Sequence, residues 1–154
     1  MTKEELLQQV CGLADGMTIQ EQSNQPTVNV PVEKWLSIAK TLKSDQRFQF
    51  DMLSDQAAID WPQENQIELV YQFYSTSLGH NLMVCVRVSR QNPIAPSLYQ
   101  LWPISEWQER EIFDLFGVRY SDHPDLRRLF LEDDWKGYPL LKDYKDDFML
   151  ERPW

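Results

Sequence analysis

The run IELVYQFYSTSLGHNLMVCVRVS, residues 67–89, decides the fold class. In its second half Leu82, Val84, Val86 and Val88 alternate with Asn81, Met83, Cys85 and Arg87, the period of a half-buried antiparallel strand. Its first half, IELVYQFYST, is rich in β-branched and aromatic residues, and SLGH between the two reads as a tight hairpin. A third strand is expected at FQFDML, from Phe48, joined to Ile67 by the loop DQAAIDWPQENQ. Downstream, SLYQLW offers a further edge.

Helices bracket these strands. Thr2 and Glu5 form a capping box, with Leu6, Leu7, Val10, Leu13 and Ala14 following at helical spacing and Gly16 as a stop. MTIQEQ and TVNV read as two short strands flanking the turn-like SNQP. A second helix is expected from Pro31, with Val32, Trp35, Leu36, Ala39 and Leu42 on one face. Ser105 and Gln108 suggest another capping box, opening a helix that runs to Phe116 and ends at Gly117. Strands grouped between helices imply an α+β fold: a mostly antiparallel sheet with helices packed on one face, followed by an extended irregular C-terminal tail. The expected division is an α+β domain over residues 1–117 and a partner-binding tail over 118–154.

Composition narrows the function. With 154 residues, 42% hydrophobic and 25% charged, the chain is globular and large enough for one core. A net charge of -9 argues against nucleic acid. No apolar run approaches a membrane span, and the acidic MTKEELLQQV does not read as an export signal. Cys11 and Cys85 are far apart, so buried free thiols are expected, and two cysteines cannot supply the four ligands of an iron–sulfur cluster. A metal site is not expected from His80 and His123, neither of which has a ligand at helical spacing.

Within the third helix Glu109, Ile112, Phe113 and Phe116 fall in one narrow stripe, while Arg110 and Asp114, four apart, can pair beside it. A carboxylate on a burying face must find a partner or give up its charge. A structural ion pair of Glu109 with Arg110, Arg127 or Arg128 is expected; the functional alternative is an acid–base or relay group.

Residues 118–154 carry Tyr120, Phe130, Trp135, Tyr138, Tyr144, Phe148 and Trp154, too many aromatics for a disordered tail. Pro124, Gly137, Pro139 and Pro153 cut it into turns, with HPDLRRLF and LEDDWK expected as short helices. Such pieces have no second layer to pack on, so the tail is expected to lie along another protein; the alternative is that it wraps its own domain as an irregular C-terminal coat. Arg127 and Arg128 would contact partner carboxylates or carbonyls.

Residues 109–144, EREIFDLFGVRYSDHPDLRRLFLEDDWKGYPLLKDY, closely resemble the signature region of the 30 kDa (NuoC-type) subunit of respiratory complex I. That family reads Glu-Arg-Glu, an acid, two apolar residues, and after a gap of six a His with an Arg four residues on. Here these are Glu109, Arg110, Glu111, Asp114, Leu115, Phe116, His123 and Arg127. Its further string of Asp-Trp-x-Gly-x-Pro-Leu and Lys-Asp-aromatic stands as Asp134, Trp135, Gly137, Pro139 and Leu140, then Lys142, Asp143 and Tyr144. Gly117, Pro124 and Arg128 lie inside the same region, and Leu141 replaces a usual Arg. The first hundred residues match the family only in the order of elements.

The resemblance implies a cofactor-free scaffold subunit in the peripheral arm of a proton-translocating NADH:quinone oxidoreductase. FMN, the iron–sulfur clusters and quinone would be held by partner subunits. The tail would lie on the 49 kDa, quinone-site subunit and beside the iron–sulfur subunits. The chain would sit peripherally at the cytoplasmic face of the energy-transducing membrane, reaching it only through the complex. The equivalent subunit of a ferredoxin-linked photosynthetic complex or a membrane-bound energy-converting hydrogenase would look the same. A free-standing hydrolase or lyase using Glu109, Asp114 and His123 is the rival, although no nucleophile motif accompanies them.

Overall fold

The computed structural model of the chain describes residues 2–150, so Pro153 and Trp154 lie outside the described residues. Helix α1 (Lys3–Cys11) begins on the anticipated capping box, in which Glu5 N donates to Thr2 Oγ1 at 3.2 Å and Thr2 N to the Glu5 carboxylate at 2.9 Å. It ends at Gly12 rather than Gly16 because the chain turns there, Gly12 N still bonding to Gln8 O. Strands β1 (Thr18–Ile19) and β2 (Thr27–Pro31) pair antiparallel around the predicted turn. Helix α2 (Val32–Ser44) follows, burying Trp35, Ile38, Ala39 and Leu42.

Three long strands then form the sheet: β3 (Met52–Trp61), β4 (Gln66–Tyr74) and β5 (Asn81–Ser89). The five strands lie in the order β1-β2-β5-β4-β3, antiparallel except that β2 runs parallel to β5. One face is apolar. Val28 and Val30 lie against Val84 and Val86, and Tyr71 and Leu69 lie against the same two residues from the other side. The helices cover that face and make one core with it. Trp35 meets Tyr71 at 4.9 Å between ring centroids, and Phe73 meets Trp102 at 4.8 Å. Each such buried side chain contributes roughly 1.5–3 kcal/mol relative to exposure.

The expected strand at Phe48 and the loop after it are displaced. Phe48 and Phe50 are buried in the turn that closes α2, where Phe50 N bonds to Leu42 O at 3.0 Å. The strand proper runs through DQAAIDW, and only Pro62–Glu64, a single 3-10 turn, links it to β4. Its inward side carries Gln56, Ala58 and Asp60, paired with Tyr71, Leu69 and Ile67, so it lacks the apolar alternation that marks a strand. SLYQLW is likewise no strand: Leu98 and Trp102 are buried in turns, and Trp102 Nε1 donates to Phe50 O at 3.1 Å. The extra edge is β6 (Ile94–Pro96), which pairs in parallel with β7 (Arg119–Ser121), just beyond helix α3 (Ser105–Phe116).

Candidate functional site

α3 ends at Gly117, which takes φ +80° as a C-cap and lets the chain turn back under the helix. A Cβ there would stand 2.6 Å from Tyr138 Cε2, so the ring of the returning tail occupies the space a side chain would need. The expected capping box at the other end is absent. Ser105 is already the first helical residue and Ile104, in helical geometry, makes no side-chain cap.

Glu109 is fully buried, yet no arginine pairs with it. Its carboxylate accepts from Ser97 Oγ at 2.6 Å and from Leu98 N at 2.7 Å, both on the turn after β6. This corrects the expected ion pair with Arg110, Arg127 or Arg128. Burial pushes the carboxyl pKa up to about 7, against the two hydrogen bonds that favour the charged form. His123 Nε2 stands 3.8 Å from Glu109 Oε2, with neither side chain exposed. Asp125 N donates to His123 Nδ1 at 3.0 Å, which leaves the proton of a neutral ring on Nε2, facing Glu106 O at 3.0 Å.

The expected Arg110–Asp114 pair is also absent, because each residue holds a different part of the tail. Arg110 stacks over Trp107 and donates to the carbonyls of Arg127 and Arg128, both at 3.2 Å. Asp114 Oδ1 accepts from Arg128 Nη1 at 2.9 Å, and Oδ2 accepts from three successive amides, Leu129, Phe130 and Leu131. Burial acts to raise the Asp114 pKa, but Arg128 and the three amides outweigh it and hold the carboxyl below the usual range. Arg128 goes on to donate to Trp135 O and Gly137 O, each at 3.0 Å. Its guanidinium is therefore committed inside the chain, whereas Arg127 points outward and pairs with Asp125.

These contacts explain why HPDLRRLF and LEDDWK form no helix among the described residues: Asp114 and the two arginines take the groups a helix would use. They also correct the idea that the tail cannot order itself. The body continues past Gly117, with Val118 and Tyr120 buried and Tyr120 Oη accepting from Gln56 Nε2 at 3.1 Å. Leu140 N bonds to Leu115 O, Lys142 N to Asp60 Oδ2 at 2.8 Å, and Arg90 bridges Asp60 and Asp143. Sequence reasoning misses the Asp60–Arg90–Asp143 cluster, since Asp60 lies in a stretch that reads as a loop. Tyr144 reaches Asp146 and packs where a side chain on Gly137 would project. Glu111, Pro124, Asp134, Trp135 and Leu140 face solvent, and Pro139 is half-buried.

Chemically these contacts are a fastening between α3 and the tail. Glu109, Asp114 and the His123 side chain have no exposure through which a substrate could reach them. Among the described residues no three His, Cys, Asp or Glu side chains gather as a metal site, and no helix is long and apolar enough to cross a membrane. The tail exposes large apolar side chains, Phe130 at 66%, Leu140 at 50% and Phe148 at 91%, as do Trp107 on α3 and Ile104 just before it.

Residues 28–147 match the family described as "Respiratory-chain NADH dehydrogenase, 30 Kd subunit". The chain is 37% identical to the C-type subunit of the NADH-quinone oxidoreductase of Moorella thermoacetica, over 92% of this chain and 95% of that one. It is 39% identical to the C/D-type subunit of the NADH-quinone oxidoreductase of Phocaeicola vulgatus, over 77% of this chain but 22% of the longer relative. Among solved structures it is similar to a chain of an archaeal respiratory membrane complex, the membrane-bound sulfane sulfur reductase. The TM-score there is 0.78 at 26% identity, covering 92% of this chain and 85% of that chain. It is also similar to a trypsin-resistant fragment (1-134) of Nqo5, with TM-score 0.69 at 26% identity, covering 81% of this chain and the whole fragment.

Proposed function

Because the chain belongs to the 30 kDa subunit family of respiratory-chain NADH dehydrogenase, the C-type subunits of NADH-quinone oxidoreductase-type complexes, we propose that it is a cofactor-free scaffold of the peripheral arm. In this reading residues 118–154 and the adjoining end of α3 dock on the 49 kDa, quinone-site subunit and on iron–sulfur subunits. Electrons pass from NADH through FMN and iron–sulfur clusters to quinone in those other chains, coupled to proton translocation. The chain sits at the cytoplasmic face of the energy-transducing membrane and meets it only through the complex.

The observation that carries the reading is the exposure of four large apolar side chains, Phe130, Trp135, Leu140 and Phe148, on a tail whose first part is fastened by Asp114, Arg110 and Arg128. Exposed apolar surface of this kind marks contact sites. The longer C/D-type relative supports the choice of partner, since fusion keeps two chains side by side. The trypsin-resistant Nqo5 fragment, all of which this chain covers, fits a protected body. Likeness to a chain of the sulfane sulfur reductase supports the second reading, the same module in a membrane complex with another electron donor.

Arg127→Ala tests the docking. Arg127 is exposed and pairs only with Asp125, so the free chain should lose less than about 0.5 kcal/mol of stability. Incorporation of the affinity-tagged chain into the membrane complex, measured by co-purification, should fall several-fold. Normal incorporation of the variant would count against the docking surface.

A further inference from the structure

Strand β3 closes one side of the sheet, and among the described residues no main-chain hydrogen bond leaves it on the side away from β4. Proteins usually blunt such an edge with Lys, Pro or a covering segment. β3 has neither Lys nor Pro within its ten residues. Its bulge lies between Leu53 and Asp55, leaving Asp55 to Trp61 in unbroken register.

Two cavities open along this edge. One, of about 280 Å³, lies where Met52 and Leu53 meet Trp102, Pro103 and Ile104. The other, of about 350 Å³, lies between Ala57 and Ala58 on the strand and Ile112, Leu115 and Phe116 on α3. Along β3 the lining of the first ends at Leu53 and that of the second begins at Asp55. The alanines keep the second one open, since larger side chains would fill it.

The charge here is one-sided. From Phe48 to Val86 the chain has no Lys or Arg, against Asp51, Asp55, Asp60, Glu64 and Glu68. Asp60 pairs with Arg90, and Glu64 and Glu68 share Arg87. Asp51 is turned to Thr76. Asp55 bonds only to the neighbouring Gln56 N, and Glu111 across the second cavity is exposed, so the rim of the groove carries two acids without a cation.

We propose that the free edge of β3, from Met52 to Ile59, receives an extended segment of another subunit as a sixth strand, its apolar side chains seated in the two cavities and Lys or Arg beside them. Main-chain bonds along the edge supply affinity, and the cavities with their acidic rim supply selectivity. The inference rests on membership of a multi-subunit complex and extends the docking surface from the tail, whose Leu140 lines the second cavity, onto the edge of the sheet.

Hydrogen exchange with mass spectrometry on the free chain and on the purified complex tests it. The amides of residues 55–61 that do not bond to β4 should exchange at least 100-fold more slowly in the complex. Those of β4, inside the sheet, should change little. Ala57→Lys, at an exposed position, sets a cation on the edge; it should leave the urea midpoint of the free chain unchanged and remove at least tenfold of that protection. If that variant does not fold, Asp55→Lys serves with the same readout. Equal exchange of β3 in the free and assembled chain overturns the proposal while leaving the scaffold reading intact, whereas absence of the chain from the complex overturns both. Protection that rises with concentration of the free chain alone identifies a second copy as the occupant, and also overturns it.

Discussion

Glu109→Gln isolates the cost of burying one carboxylate. Glu109 ionises near 4.5 in an unfolded chain and at about 7 in the fold, where burial disfavours its charge. The folded state thus binds the extra proton between these values. Stability from this group is complete below about pH 4.5 and is lost as the pH rises through about 7. At about 1.4 kcal/mol per pH unit, the loss amounts to about 3 kcal/mol by pH 8. Glutamine keeps the geometry: its oxygen accepts from Leu98 N, and its amide donates to Ser97 Oγ, which the carboxylate meets at 2.6 Å. Urea unfolding of both proteins at pH 5, 6, 7 and 8 therefore gives the test. The two should be close in stability at pH 5, with the variant ahead by about 3 kcal/mol at pH 8. Tyr71 and Tyr120, buried and held above the usual phenol range, stay protonated in both proteins across these pH values. A difference that stays constant across this range would show that Glu109 titrates as an ordinary carboxylate, and the account of its burial would be wrong.

Asp114→Ala removes the acceptor for Arg128 and three amides, so the free chain should lose about 3–5 kcal/mol by urea unfolding. Trypsin should then cut after Arg127, Arg128 and Lys136 at least tenfold faster, as read by mass spectrometry. Gly117→Ala must place a Cβ against the Tyr138 ring at positive φ and should cost about 1–3 kcal/mol. Combining it with Tyr138→Ala should recover the steric part of that loss; equal penalties in both backgrounds would assign the whole effect to the backbone.

What could be read in advance follows from the range of the forces involved. α2, the β4–β5 hairpin and the end of α3 at Gly117 were legible, because periodicity and a terminal glycine are local signals. So was the family, since the motif residues cluster in one stretch and the match to residues 28–147 bears it out. β3 escapes sequence reasoning because Gln56 and Asp60, on its buried side, bond to Tyr120 and Arg90 from far along the chain. The parallel pair β6–β7 has three residues per strand and no pattern of its own. Glu109 was rightly seen on the buried stripe, but its partners are a serine and a backbone amide on a turn eleven and twelve residues upstream. The tail looked unable to order itself because its acceptors, Asp114 and Asp60, belong to other elements and no spacing rule joins them.

The carboxylate that gathers Leu129, Phe130 and Leu131 has a kinetic meaning for assembly. Fixing one residue's backbone costs roughly 1–2 kcal/mol, so five anchored positions, 127 to 131, represent about 5–10 kcal/mol already met when the subunit folds. In the proposed docking, a partner chain would encounter a surface in its final shape instead of waiting for a loop to find it. Capture can then proceed by rigid collision, and a lesion at Asp114 would slow complex biogenesis even where every residue at the contact is intact.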